Sequence, residues 1–395
     1  MRNILLVALL FIGVSAFGQE WAPSISLPDE APRRHHPVTF TLNGYGYLGT
    51  GSSANNPYLD DFWRFDPVND TWEQMAAFPG GGRGFAYGVA YNDKAYVGFG
   101  SDGERALNDL WEYDPSTDTW TELDTCLCPG RTHPALVAAN GHIYVGLGGG
   151  GGNKNDWWAY NIESGEWEQR ADFPSFRRHH PFYFDIDEYA YVGMGHGDNG
   201  IYNDLYRYDH LTDSWETLTN LPGEGRVAGT QFSYNGKGYV LSGDGEDHYH
   251  MADGEFWEYD PATNDWTQLA PHLGAGSRWA PGNFVIENTL YFMAGLEDGV
   301  LQRDMMTYTF ETNTSSTAEQ NIKSFDVSPN PSNDYLDFIE VNTVDQVKIF
   351  TAEGKLMTDY SVNNNRVDLS AFNPGVYFIH IRSNGELLKA KFLKL

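Results

Sequence analysis

Residues 33–37 and 177–181 both read RRHHP, and the two copies stand 144 residues apart. Guanidinium forks grip carboxylates and phosphates in two-pronged fashion, while imidazoles shuttle protons near neutral pH or ligate metals. Single arginines extend the pattern: Arg34, Arg83, Arg131, Arg178, Arg226 and Arg278 recur at intervals of 47 to 52 residues. Each is followed some 25 to 30 residues later by an acid, in turn Asp61, Asp109, Asp156, Asp204, Glu255 and Asp304. Two readings of the recurring arginines stand side by side. They could be Arg–carboxylate pairs tying neighbouring repeat units, or cations waiting for an acidic ligand. One arginine per unit suffices for a tie, so Arg33, His35, His36, His133, Arg177, His179 and His180 exceed what a tie requires.

Something periodic must position these residues. Tryptophans 72, 120, 167, 215 and 266 recur at 47 to 51 residues, and tyrosines 47, 96, 144, 191, 239 and 291 keep the same step. Six units of about 48 residues follow. In the second unit FAYGVAY, KAYVGFG, DLWEYD and DTWTEL read as four strands, a to d, joined by Asn-, Asp- and Pro-rich turns. DLWEYD alternates with period two, as a strand with differently used faces does. Four antiparallel strands repeated six times predict an all-β, six-bladed propeller. Alternating strand directions place the d–a and b–c loops on one face, around the channel mouth. The mouth thus collects Arg33, Arg34, His35, His36, Arg83, Arg131, His133, Arg177, Arg178, His179, His180, Arg226, Arg278 and Trp279 as candidate ligand-binding residues. His196, His248 and His250 join them from the b–c loops, and the two RRHHP copies, three units apart in six, should face each other.

An Arg before strand a, a Tyr in strand b running into glycines, an Asp-aromatic strand c and a Trp in strand d resemble the kelch repeat over residues 19–312. The glycine pair after strand b departs from that pattern, reading VGFG, VGLG and VGMG. The sixth unit lacks its Trp strand, but Trp21 stands 12 residues before Arg33, close to the 11 between Trp72 and Arg83. The N-terminal segment should therefore supply the missing strand d and close the ring.

Tyr58, Tyr202, Tyr249 and Trp279 could stack on a ligand, which favours an extracellular glycan or protein. Exported six-bladed kelch proteins include sialic acid mutarotases, so the resemblance also implies an alternative: a sugar epimerase for an acidic sugar, with His36, His180 and Glu224 as acid–base candidates. A copper oxidase of the galactose oxidase type fits poorly, because neither cysteine sits on a strand facing the mouth. A metal set of His179, His180 and His196 would need adjacent strand residues to converge, whereas they point apart. No cofactor is expected. The GGGGG run at residues 148–152 lacks the Gly-Lys-Ser/Thr ending of a phosphate loop and reads as a flexible b–c loop.

The net charge of −29 excludes a nucleic-acid partner of ordinary kind. Residues 1–18, with Arg2, an apolar run and Ala16-Phe17-Gly18, read as a secretory signal peptide, and no later stretch suits a membrane span. Two cysteines, Cys126 and Cys128, exclude a disulfide framework and leave free thiols or a local bridge open. After a Ser/Thr-rich linker, 313–321, residues 322–395 read as a small β-sandwich. SPNPS, IFTAEGKLM, LSAFNPGVYFIHI and KFLKL there resemble, in order, the type A C-terminal sorting domain of type IX secretion. That resemblance implies the type IX machinery as a partner, and secretion or display on the bacterial outer surface.

Overall fold

The computed structural model describes residues 21–311, then 323–325, 327–339, 344, 346–351, 357, 360, 362–363, 365–383 and 386–395. The expected signal peptide and the linker lie outside the described residues. The chain divides into two compact units with the boundary between residues 312 and 313.

In the first unit each repeat folds as an antiparallel sheet in the order a-b-c-d. Blade one consists of Val38–Leu42, Tyr45–Gly49, Phe62–Asp66 and Thr71–Gln74. The inner strands of the next five blades are Tyr87–Tyr91, Ala135–Ala139, Phe182–Ile186, Thr230–Tyr234 and Gly282–Ile286. These six strands touch in a closed cycle, with the last packed against the first. Trp21–Pro23 pairs antiparallel with Met305–Thr309 and is the outer strand of blade six, so the N-terminal segment closes the ring as its spacing predicts. The segment covers the outer edge of Met305–Thr309 that would otherwise stand open at the seam.

The repeated residues explain the assembly. The strand-b tyrosines 47, 96, 144, 191 and 239 are buried between blades. The indole N–H groups of Trp120, Trp167, Trp215 and Trp266 donate to Ala76, Asp124, Ala171 and Thr219 carbonyls, each just past strand d of the preceding blade, at 2.7–3.0 Å. Trp21 donates likewise to the Ala270 carbonyl in the outer strand of blade five at 2.9 Å, which makes it the fifth member of that set, and Trp72 Nε1 has no such partner. Cys126 and Cys128 are disulfide-bonded to each other and buried beside Phe99 and Tyr160.

The second unit is a sandwich of two four-stranded sheets. Leu336 and Val367 from one sheet and Ile349, Ile379, Ile381 and Phe392 from the other share one core.

Candidate functional site: the channel mouth

The six recurring arginines are buried, none more than 2% exposed. Arg131 shows the pattern: its guanidinium donates to both Asp156 oxygens at 2.9 and 2.8 Å, to the Leu147 carbonyl at 3.0 Å and to the Pro129 carbonyl at 3.2 Å. Arg34, Arg83 and Arg178 hold Asp61, Asp109 and Asp204 by the same fork. Arg226 reaches Glu255, and Arg278 holds both Glu297 and Asp304. The acid accepts a second bond wherever strand c has Trp two residues on, as from Trp158 to Asp156 at 2.9 Å. Burial alone would raise the Asp156 carboxyl, but Arg131 and Trp158 hold it below the usual range.

These side-chain pairs lie within a blade, contrary to the expectation that they bridge neighbours. The acid opens strand c of the blade whose strand a the arginine introduces. The arginine's contribution between blades is its backbone. Each Arg carbonyl accepts the N–H of a left-handed glycine in the preceding blade, as from Gly148 to Arg178 at 2.8 Å and from Gly295 to Arg34 at 2.9 Å. A Cβ on Gly195, at φ 86°, would lie 2.7 Å from the His180 carbonyl, so a side chain there would push the mouth loop away. Burial and pairing with an acid set the six arginines back from the exposed mouth, although Arg83 Nε and Arg226 Nε and Nη1 have no hydrogen-bond partner. Arg33 and Arg177 remain exposed at the mouth, and Arg33 donates to the Leu301 carbonyl at 3.1 Å.

The residue two positions after each arginine has positive φ, between 49° and 63°, in all six blades: His36, Phe85, His133, His180, Ala228 and Ala280. Backbone bonds link this inner ring, from His36 to Ala280, His133 to Phe85, His180 to His133 and Ala280 to Ala228. The left-handed turn breaks strand alternation and sends the second histidine of each RRHHP copy toward the axis. His36 Nε2 and His180 Nε2 meet there at 2.8 Å. His133 lies against His180 with ring centroids 3.6 Å apart, and Phe85 packs against both His133 and His36. Trp279 stands edge-on to His36 at 4.5 Å, filling space that Ala280 leaves.

The first histidines stay outside. His35 Nδ1 is 2.7 Å from His36 Nδ1, and His179 Nδ1 is 2.8 Å from the Asn153 side-chain oxygen. His179 pairs with His196 across a short ladder while His180 points inward, so His179, His180 and His196 do not converge on one point. His248, exposed, sits 4.4 Å from the His196 ring. Burial pushes His36, His133 and His180 well below the ordinary imidazole value, and His35 and His179 down to about 4. At neutral pH these five rings are uncharged, so the expected cationic mouth reduces to Arg33 and Arg177 among the residues singled out by sequence. Below the ring lies a central cavity of about 280 Å³, with Thr39, Tyr183, Gln231 and Asn283 among its walls and His36 at its mouth end. Asp185 lines this lumen, with Ser233 as hydrogen-bond donor at 3.1 Å.

Sequence reasoning missed Phe85 and the exposed Phe176, which stacks on Tyr202 at 5.6 Å while Arg178 lies over the other ring at 4.1 Å. Aligning the six units at the second position after the recurring arginine would have exposed the His-Phe-His-His-Ala-Ala set. The GGGGG loop is held by its own lysine, since Lys154 Nζ donates to the carbonyls of Gly149, Gly150 and Gly152. No phosphate cradle is left there.

Two overlapping matches to a family model described as the KLHDC2/KLHL20/DRC7 Kelch-repeats domain cover residues 19–173 and 98–233, together more than half of the chain. The chain belongs to the kelch-repeat family. The kelch ring is followed by a match to a secretion system C-terminal sorting domain over residues 326–394, which marks the protein for export. No curated protein matches the chain. Among solved structures, one titled "Structure of YjhT" superposes with a TM-score of 0.61 at 15% identity, over 73% of this chain and 98% of that one. At that identity the likeness extends to the kelch propeller fold.

Proposed function

We propose that the protein is an exported kelch propeller, secreted or displayed on the bacterial surface, that takes an extracellular glycan or protein ligand in its channel mouth. The observation that carries this reading is the convergence of His36, His133 and His180 at positions where the fold itself accepts alanine in blades five and six. Neutral imidazoles present both donors and acceptors, and the Phe176–Tyr202 stack, Tyr249 and Trp279 give apolar surface beside them. Arg33 and Arg177 supply the charge an acidic ligand would meet. The test is a thermal-shift series on the full-length protein with sialic and uronic acids, neutral sugars and peptides, because a ligand that binds only the folded state raises its melting point. A saturable shift from one class supports the reading, and no shift from any class contradicts it.

One observation favours an enzymatic alternative, a mutarotase-like epimerase for an acidic sugar. The His36 and His180 Nε2 atoms meet across the channel at 2.8 Å, and with a proton on one of the two nitrogens, the bare one can accept a proton from an anomeric hydroxyl while the other protonates the ring oxygen. Glu224, exposed in the loop before Arg226, accepts the Glu246 N–H at 3.1 Å and belongs to the rim of the same face. Anomer exchange of an acidic sugar, followed by NMR, separates catalysis from binding.

A further inference from the structure

We propose that His36, His133 and His180 form a three-imidazole site for a divalent transition-metal ion of the zinc or copper class at the throat of the channel. The proposal goes beyond the ligand reading and does not depend on it, since a metal can bind here with or without an organic ligand.

Each of the three residues brings one ring nitrogen within 4.8 Å of the other two. His36 Nε2 and His180 Nε2, 2.8 Å apart, are a few tenths of an ångström inside the ~2.9–3.4 Å that two bonds of about 2.05 Å to one ion span at right-angled or tetrahedral geometry. A small tilt of either ring closes that difference. His133 Nε2 is buried without a hydrogen-bond partner, which costs free energy in the metal-free state and leaves its lone pair available. An outer-shell partner stands behind His36, whereas His180 Nδ1 is buried without one. His35 Nδ1 stands 2.7 Å from His36 Nδ1, so His36 can donate its proton there and present a bare Nε2 inward.

The fold does not demand these histidines. The same backbone position, with the same left-handed φ and the same ring of backbone bonds, carries Phe85, Ala228 and Ala280 elsewhere. Three imidazoles at interchangeable positions therefore call for chemistry rather than packing. Imidazole donors select zinc, copper and nickel over calcium and magnesium, which prefer oxygen. Three protein ligands leave a position open toward the cavity on whose wall His36 lies, the arrangement of sites that present a metal to a further ligand.

The experiment titrates Co²⁺ into metal-stripped full-length protein while recording visible d–d bands, then adds Zn²⁺ in competition, with millimolar Mg²⁺ present throughout to occupy surface carboxylates. The expected result is one saturable Co²⁺ per chain, displaced by Zn²⁺. Affinity should fall by more than the ~10–100-fold that even an outer-shell loss costs in the His133→Ala and His180→Ala variants. His142→Ala, a histidine at the a–b turn on the opposite face, should leave it unchanged. Pulsed EPR on the Cu²⁺ form of the unaltered protein counts coordinated imidazoles independently of whether any variant folds, and three are expected. Absence of d–d bands, an imidazole count of none or one, or bands that persist in both histidine variants would overturn the proposal.

Discussion

The arginine ring and the ring two residues further along the chain occupy the same mouth and follow opposite rules. At the arginine position all six blades repeat one residue, buried and bonded to an acid of its own blade, and all but Arg226 also donate to backbone carbonyls there. At the second position the backbone repeats six times but the side chains do not: three histidines, a phenylalanine and two alanines share one left-handed turn. Uniform residues, each paired with an acid inside its own blade, mark the frame. Variable residues on a uniform backbone, with a buried nitrogen left unpartnered, mark what the frame carries. Charge had suggested the reverse, because arginines look like ligand binders until burial and pairing are known.

The largest effect that would break this contrast is Arg178→Ala. It leaves Asp204 without its cation and the Met194 and Phe176 carbonyls without donors, which should cost about 4 kcal/mol and lower the propeller's melting temperature by ~10 °C in calorimetry. A loss under about 1 kcal/mol would show the arginines to be surplus to the frame.

A smaller effect comes from His272, a buried histidine with a full set of partners: its Nδ1–H donates to the Leu273 carbonyl and its Nε2 accepts from Ser242. Burial lowers it to about 4 in the folded state from 6.5 unfolded, so between those values the unfolded chain holds the extra proton. Its stability contribution is complete above pH 6.5 and is lost as pH falls toward 4, on the order of 3 kcal/mol. Denaturant melts across that range should show a slope to which the buried mouth histidines also contribute, and His272→Gln should make it shallower without abolishing it.

The mouth histidines should behave differently. His133→Ala removes ring contacts with Phe85 and His180 but also an unpartnered buried nitrogen, so stability should move by only about 1 kcal/mol while the ligand response disappears. Smallest of all, Arg33→Ala with Arg177→Ala should shift stability by no more than ~0.5 kcal/mol, as exposed substitutions do. A selective loss of response to acidic over neutral ligands would assign these two the charge contact.

Much of the frame was legible in the sequence because the period of about 48 residues is carried by Trp, Tyr and Arg at once. The closure by Trp21 and the meeting of the two RRHHP copies followed from spacing alone. The division of labour inside RRHHP did not. Reading His179 and His180 as strand neighbours points them apart correctly, but nothing local shows that a left-handed turn sends His180, with His36 and His133, to the axis. Nor does sequence reveal that the tryptophans, through indole bonds, do the blade-to-blade tying that the arginine side chains were expected to do. Spacing gives which positions correspond. It does not give which atoms are used up.

The most direct test of the account is isothermal calorimetry of the best-responding sugar or peptide against three full-length proteins: the native form, His133→Ala with His180→Ala, and Arg33→Ala with Arg177→Ala. The account predicts saturable binding to the native form, none to the histidine double variant at nearly unchanged melting temperature, and weakened binding to the arginine double variant. Undiminished binding by a folded histidine double variant would contradict it and move the site away from the inner ring.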